Sequence, residues 1–342
     1  MIKTITSKAE WESALSEVKS FDFYHTFDYH HISKTDTEEA VLLYYRDKDA
    51  LILLPLLLRQ IFDTDFYDAT SVYGYAGPLG HNINEDFSAE AFREALDDFF
   101  NEKKIIAVFS RLNPYIDDQD RILGGIGEIR PIGNVVNIDL SKSLDEQRSA
   151  YRRDTRSRVN KARRLCTVRK ATEAQDIETF VDIYTETMTK LDADEDYFFD
   201  KEYFFNFLDC DGFKTDVLLA VHNETGEVTA GSMFVKTNNI VQYHLSGTRS
   251  EYMKIAPSRL LLDEMRIQAT EEGYRFFNLG GGYKSREDAL FNFKSSFSDD
   301  FKSFKIWTYI VNQDKYHEFM ILSRVEEDTE FFPAYRAKVS HI

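Results

Sequence analysis

The sequence predicts an α/β (α+β) chain of two repeated units, each a mixed, mostly antiparallel sheet flanked by helices. Three observations predict it. At 342 residues with 43% hydrophobic and 14% aromatic content, the chain can fill two packed cores. Apolar runs of strand length alternate with segments of helical period. The order hairpin, strand, loop, helix, strand between residues 40 and 110 returns between 216 and 279. The 28 Phe and 19 Tyr suit strand-rich cores and ring-lined pockets.

Composition also excludes some functions. A net charge of −17 repels polyanions, so nonspecific coating of nucleic acid and a DNA partner are not expected, while local basic patches stay open. The two cysteines, Cys166 and Cys210, are far apart and lack metal-ligand spacing. Neither a disulfide framework nor a metal site is expected, and a reducing cytoplasm is. The first twenty residues show no leader, and the longest apolar run, residues 50–58 with Pro55 inside it, is too short to span a bilayer. Transient contact with a membrane surface stays open.

In order along the chain, residues 8–19 read as an amphipathic helix with Trp11, Leu15 and Val18 on one face and Ser7 at its start. The segment FDFYHTFDYHHISK sets His25, His30 and His31 among aromatic rings. Adjacent His30 and His31 diverge on any regular element, which favours the ring-rich wall of a groove over a metal cluster. Residues 40–45 and 51–58 form a hairpin around Arg46-Asp47-Lys48-Asp49. The loop DATSVYGYAGPLG, with Tyr73, Tyr75 and Gly74, Gly77 and Gly80, is of the kind that carries ligands. A helix over 86–103 and a buried strand over 105–110 follow.

After a strand at 135–140, residues 148–170 hold ten basic side chains against one acid, Asp154. Helical spacing puts Arg152, Arg156 and Arg163 on about the same side, suited to bidentate grip of phosphates. A solvated face, or a surface docking the protein's own acids, is the alternative. Next come a helix over 175–190, an aromatic-rich stretch over 194–208, and strands over 216–222, 228–236 and 239–248. In the last, Val241, Tyr243 and Leu245 alternate with Gln242, His244 and Ser246, so one face should be polar and wet. His244 is the histidine best placed as a base, with a hydrogen-bonded structural role as the alternative. A helix over 258–272 ends at Gly273. The strand over 275–279 then opens into Gly280, Gly281 and Gly282, where bare backbone admits close approach. Tyr283, Lys284 and Asp288 follow, and then Leu290, Phe293 and Phe297 at helical spacing, with Lys294 beside them. This reads as a glycine-lined cleft edged by an ammonium group, or as a tight turn with a solvated lysine.

With YGYAGPLG, NKARR, YHLSGT and NLGGG followed by DALFNFKSSFS on most of its length, the chain resembles the FemAB-type peptidyltransferases. These are two tandem GNAT-like domains that add amino acids to cell-wall precursors, and the likeness is to the envelope-polysaccharide branch. The resemblance implies that Phe293 and Lys294 lie in the donor channel, that Arg152 and Arg156 meet the acceptor's diphosphate, and that the last segment completes the first domain. The expected domains are thus residues 1–145, completed by 312–342, and 146–311 with the transfer site. The long helical arm of some members has no room between Thr248 and Pro257. TRSEYMKIAPSR departs from the Q/R-x-x-G-x-G/A loop that grips the pyrophosphate of acyl-CoA, having no glycine after Gly247.

The expected chemistry is attack of an amine on an activated carbonyl. Lys294 and the backbone of Gly280 to Gly282 steady the oxyanion, and His244, Asp288 or water takes the proton. Tyr283 and Tyr75 line the substrate. No cofactor is expected to be tightly bound, and the co-substrate is acyl-CoA or aminoacyl-tRNA. The acceptor expected is an amine of a sugar-nucleotide or lipid-linked glycan or peptidoglycan precursor. The competing reading is an inactive duplicated module that binds a glycan or protein.

Overall fold

The run ALILLPLLL is apolar at every position because the strand it forms is covered on both faces. In the computed structural model, which describes residues 1–324, 329 and 331–337, the strands are β1 (Ile2–Ile5), β2 (Glu38–Asp47), β3 (Ala50–Gln60), β4 (Tyr67–Thr70), β5 (Leu79–His81), β6 (Ile105–Arg111), β7 (Glu128–Asp139), β8 (Cys166–Lys170), β9 (Lys214–His222), β10 (Val228–Thr237), β11 (Ile240–Thr248), β12 (Phe276–Gly280) and β13 (Asp300–Ile310). The helices are α1 (Lys8–Leu15), α2 (Phe27–Ser33), α3 (Ala89–Glu102), α4 (Gln119–Ile122), α5 (Leu144–Ser149), α6 (Arg153–Leu165), α7 (Ala174–Lys190), α8 (Lys201–Leu208), α9 (Pro257–Glu271), α10 (Ala289–Lys294) and α11 (Gln313–Ser323). Among the described residues, no helix is long and apolar enough to cross a membrane.

Two compact units result: Met1–Ile132 with Ser303–Ile342, and Gly133–Lys302. The sequence boundaries at 145/146 and 311/312 fall later in the chain, because strand pairing reaches further than apolar pattern. Val136 to Asp139 already pair with β12, and Ile306 to Ile310 pair with β6.

In the first unit the strand order is β1-β2-β3-β4-β6-β13, with β5 on β3; β4 and β6 run parallel and the other pairs antiparallel. Leu51 and Leu53 of β3 pack with Trp11 and Leu15 of α1, while Ile52, Leu54 and Leu56 pack with Phe92 and Leu96 of α3. Helix α11 lays Tyr316 and Phe319 on Ile106 and Ala107 of β6. Residues 325–328, 330 and 338–342 of the segment expected to complete this unit lie outside the described residues.

The histidine cluster belongs to this core. His25 and His30 have no exposed surface, and the His30 ring centroid lies 5.1 Å from that of Trp11. The His25 ring accepts from the Asp22 N–H at 3.1 Å, and His30 Nδ1 donates to the Thr26 carbonyl at 2.9 Å. Burial pulls their pKa values down to about 4 and about 3, so both are neutral at pH 7. An unfolded chain binds these protons near pH 6.5, so folding stability is full above that pH and falls as pH drops toward 4, by on the order of 3 kcal/mol per ring. Both tryptophans, Trp11 and Trp307, lie in this unit, so fluorescence selectively excited at tryptophan reads it. The urea midpoint is expected to fall between pH 7.5 and pH 4.5, and less in His30→Gln; equal falls would place the acid lability elsewhere.

The second unit repeats the scheme, with order β7-β12-β11-β10-β9-β8, in which only β11 and β12 run parallel. One face carries α6 and α9, packed through Val159, Ala162, Leu261 and Met265 on Ala220, Phe234, Val241 and Phe277. The other face carries α7 and α8: Phe180 of α7 closes on Gly231 of β10, and Phe207 of α8 lies against His244. In each unit the strands are thus mixed, mostly antiparallel and flanked by helices, the α/β (α+β) architecture.

Candidate active site

Strands β11 and β12 pair only from Ile240/Phe276 to Gln242/Asn278, although β11 continues to Thr248 and β12 to Gly280. Beyond Gln242 the two strands part. Just past this point β11 bulges: its register with β10 slips between Met233 and Phe234, leaving His244 as the extra residue. The bulge also breaks the alternation expected of β11. Ser246 pairs with Ser232, their hydroxyls 2.9 Å apart, and so shares the face of Tyr243 rather than that of His244. A fork of this kind is a place where an extended ligand can pair with backbone.

At the open end of the fork is the glycine turn. Gly280 has a φ of +79° and gives its N–H to Asn278 Oδ1 at 2.8 Å. A Cβ on Gly282 would meet the Arg286 carbonyl at 1.9 Å, and one on Gly281 the Asn134 carbonyl at 3.0 Å. These glycines therefore let the turn fold on itself, and Gly280 has no N–H left for an oxyanion; the expectation of a bare-backbone floor is corrected on that point.

Lys294 ends α10, a six-residue helix whose start is fixed by the Asp288 carboxylate accepting from the Phe291 N–H at 2.9 Å. That cap starts the helix at Ala289 and turns Phe291 inward, so Leu290, expected in the buried stripe, is 44% exposed. Asp288 also accepts from the Tyr283 N–H at 3.0 Å, and its pKa is lowered, bonds from backbone N–H groups outweighing burial. A carboxylate so engaged is a structural cap and a weak base. Lys294 Nζ donates to the Gly281 carbonyl at 2.8 Å. Burial brings its pKa down to about 8, with Asp288 opposing. The ammonium therefore turns into the turn after β12, half-buried, with two protons left to donate.

Phe293 lies under Arg259, the guanidinium 4.8 Å from the ring centroid, and meets Phe297 edge-on at 5.7 Å. Arg259, in the first turn of α9, carries no local signal in the sequence. Its Nη1 donates to Thr155 and Ser296 hydroxyls at 3.0 and 2.8 Å, and it has no carboxylate partner among the described residues. Burial, then Arg158 and Arg152, lower its pKa, with Asp154 opposing. Arg152, at the start of α6, donates to Ser295 at 3.1 Å. Neither α6 nor α9 has a side-chain cap at its start. Two arginines and two uncapped helix starts thus converge beside Phe293, an arrangement that favours anions.

The rest of the basic segment divides. Arg148 and Arg163 bind the buried Asp263 at 3.1 and 2.7 Å, and Arg163 also binds Glu264. Arg169 binds Asp176 at 2.6 Å. For these the docking surface for the protein's own acids holds, and Arg163 is not grouped with Arg152 and Arg156 as a free cation. Arg156 is exposed and makes no ion pair among the described residues.

His244 is placed away from the expected wet pocket. Its Nε2 lies 3.0 Å from the Tyr203 hydroxyl and its ring stacks on Phe207 at 4.9 Å. Burial lowers its pKa to about 3, leaving a neutral ring with little affinity for a proton at pH 7. Tyr283 is 40% exposed and bonds Asp194 at 2.7 Å. Tyr75 belongs to the first unit, edge-on to Tyr24 and Phe304 at 5.6 and 4.9 Å. A cavity of about 520 Å³ lined by Lys214, Asn238, Glu272, Gly273 and Tyr274 is at the other end of β12. Its charges are spent on each other, Lys214 and Lys236 both binding Glu272.

A family model described as "Acetyltransferase (GNAT) domain" matches residues 149–295. No curated protein matches the sequence significantly. Among solved structures, FemX is similar with a TM-score of 0.73 at 14% identity, over 92% of this chain and 99% of that one. L-PGS from Bacillus licheniformis is similar with a TM-score of 0.56 at 14% identity, over 93% and 95%. The C-terminal domain of a putative lysylphosphatidylglycerol synthetase from Agrobacterium fabrum gives 0.55 at 15%, over 88% and 92%. Residues 149–295 thus match a GNAT acetyltransferase domain, and the chain as a whole has a FemAB-like tandem GNAT fold, as in FemX.

Proposed function

We propose that the protein is an N-acyltransferase that moves an acyl or aminoacyl group from acyl-CoA or aminoacyl-tRNA to an amine of a cell-envelope glycan or peptidoglycan precursor. The observation that carries the reading is the fork of β11 and β12 with a tethered ammonium, Lys294, at its open end. The donor's extended arm pairs with backbone in the fork, and its phosphates, or those of a sugar-nucleotide or lipid-linked acceptor, meet Arg152 and Arg259, with Arg156 beside them. The acceptor nitrogen attacks the carbonyl carbon, the C–N bond forms, and the C–S or ester C–O bond of the donor breaks. Lys294 titrates near working pH, so it can steady the oxyanion and give a proton to the leaving sulfur or oxygen, then regain one from the new ammonium. His244 and Asp288 are spent in structural bonds and take no part in this cycle. Phe293 holds Arg259 in place, and Tyr283 is a rim contact.

The test is direct. Purified protein is incubated with acetyl-CoA or alanyl-tRNA and, in separate arms, a lysine-containing UDP-N-acetylmuramoyl pentapeptide or an amino-sugar nucleotide, and products are read by mass spectrometry. An acceptor heavier by one acetyl or alanyl group is expected in one arm. Absence of transfer in every arm, with binding of an acceptor retained, favours an inactive module that binds envelope glycan or a protein partner.

A further inference from the structure

We propose that Asn278 is a positioning residue for Lys294, acting through the Gly280–Gly281 turn. The inference rests on the reading of Lys294 as the cation of the transfer site.

Asn278 has no exposed surface and is the last β12 residue paired with β11, opposite Gln242; on its other side it faces Asn137 of β7. Its Oδ1 accepts the Gly280 N–H at 2.8 Å, two residues on, where register with β7 slips and Leu279 is left over. One residue further on is the Gly281 carbonyl, the one that Lys294 Nζ binds at 2.8 Å. One carboxamide thus sets the turn that carries the ammonium's anchor. Beyond β12, Asn137 Nδ2 donates to Asp300 Oδ2 at 2.6 Å.

The inner atoms of the two asparagines are unsatisfied. Asn278 Nδ2 and Asn137 Oδ1 are a buried donor and a buried acceptor on register-paired residues, and neither has a hydrogen-bond partner among the described residues. Flipping either amide gives no relief, since it would strip Gly280 of its acceptor or Asp300 of its donor. Each orphaned group costs roughly 1–3 kcal/mol, and apolar side chains in both places would remove both orphans at the loss of the bonds to Gly280 and Asp300. Sheet stability therefore does not account for an asparagine at 278. Its bond to the Gly280 N–H does, because an apolar residue cannot close that turn.

The test reads Lys294 itself. In protein carrying ¹³C at lysine ε-carbons, with the Lys294 resonance assigned from Lys294→Arg, Nζ is titrated by NMR without any donor or acceptor. The charged group facing Nζ is Asp288 of the α10 cap, which all variants retain. Wild type is expected to titrate near 8. In Asn278→Ala the turn loosens, Nζ regains water, and titration moves toward the ordinary lysine value of 10.5. Asn278→Ser, whose hydroxyl can accept the same N–H, is expected to stay near the wild-type value. Titration unchanged in a folded Asn278→Ala overturns the proposal. Should alanine not fold, Asn278→Leu, close in volume, makes the same measurement. Because no transfer is read, this result stands apart from whether Lys294 serves acyl transfer at all.

Discussion

Lys294→Ala is expected to lower acyl transfer by about a hundredfold to a thousandfold, the usual loss when one oxyanion donor is removed, while the thermal melt holds or rises slightly. The sign of the melt follows from linkage. In the folded chain Nζ titrates at about 8 rather than 10.5, so the native state pays for burying the charge below pH 8 and is relieved as pH rises through that window. Alanine removes that penalty at neutral pH. The same value sets the pH profile: the ammonium predominates by about tenfold at pH 7, so transfer that needs the cation declines as pH rises through 8. A rate that climbs through pH 8 instead would make the neutral amine the working form. Equal loss of rate and of melt in Lys294→Ala would make the residue structural.

Asp263→Ala is expected to have the largest effect on stability. Asp263 has no exposed surface and accepts from Arg266, Tyr151, Arg148 and Arg163 at 3.0, 2.9, 3.1 and 2.7 Å. Burial alone would raise its pKa, but Arg266, Tyr151 and Arg148 outweigh that and hold it below the usual carboxylate value. Removing it strands Arg266, which is 2% exposed, without a counter-charge. Breaking a buried pair in this way costs about 3–5 kcal/mol. The exposed end of the network is worth far less: Arg163→Ala should cost about 1 kcal/mol or under. Urea unfolding followed by far-UV circular dichroism separates the two, and a small loss in Asp263→Ala would mean that the cluster adds little to the packing of α6 on α9.

What the sequence could reveal depended on how local the cause was. The hairpin of β2 and β3 is written in two apolar runs around a polar turn, and α9 in its period and Gly273. The candidate cleft was visible for the same reason: three glycines, a capping Asp288 and Lys294 lie within fifteen residues, and their bonds run inside that segment. Arg259 was not visible, since its partners Thr155 and Ser296 are 104 and 37 residues away. The misplacement of His244 has a similar origin. A two-residue alternation is a property of one strand, but the bulge that breaks it is a property of the pairing with β10.

Period, turn chemistry and helix caps act between residues a few positions apart, so the sequence by itself determined that there are two mixed sheets flanked by helices, and that a lysine follows a glycine turn. The tertiary structure alone decided which arginines answer the protein's own carboxylates and which stay uncompensated, where β11 leaves β12, and which buried amide holds the turn. Those outcomes depend on burial and on charges brought together from distant segments, and neither exists until the chain has folded.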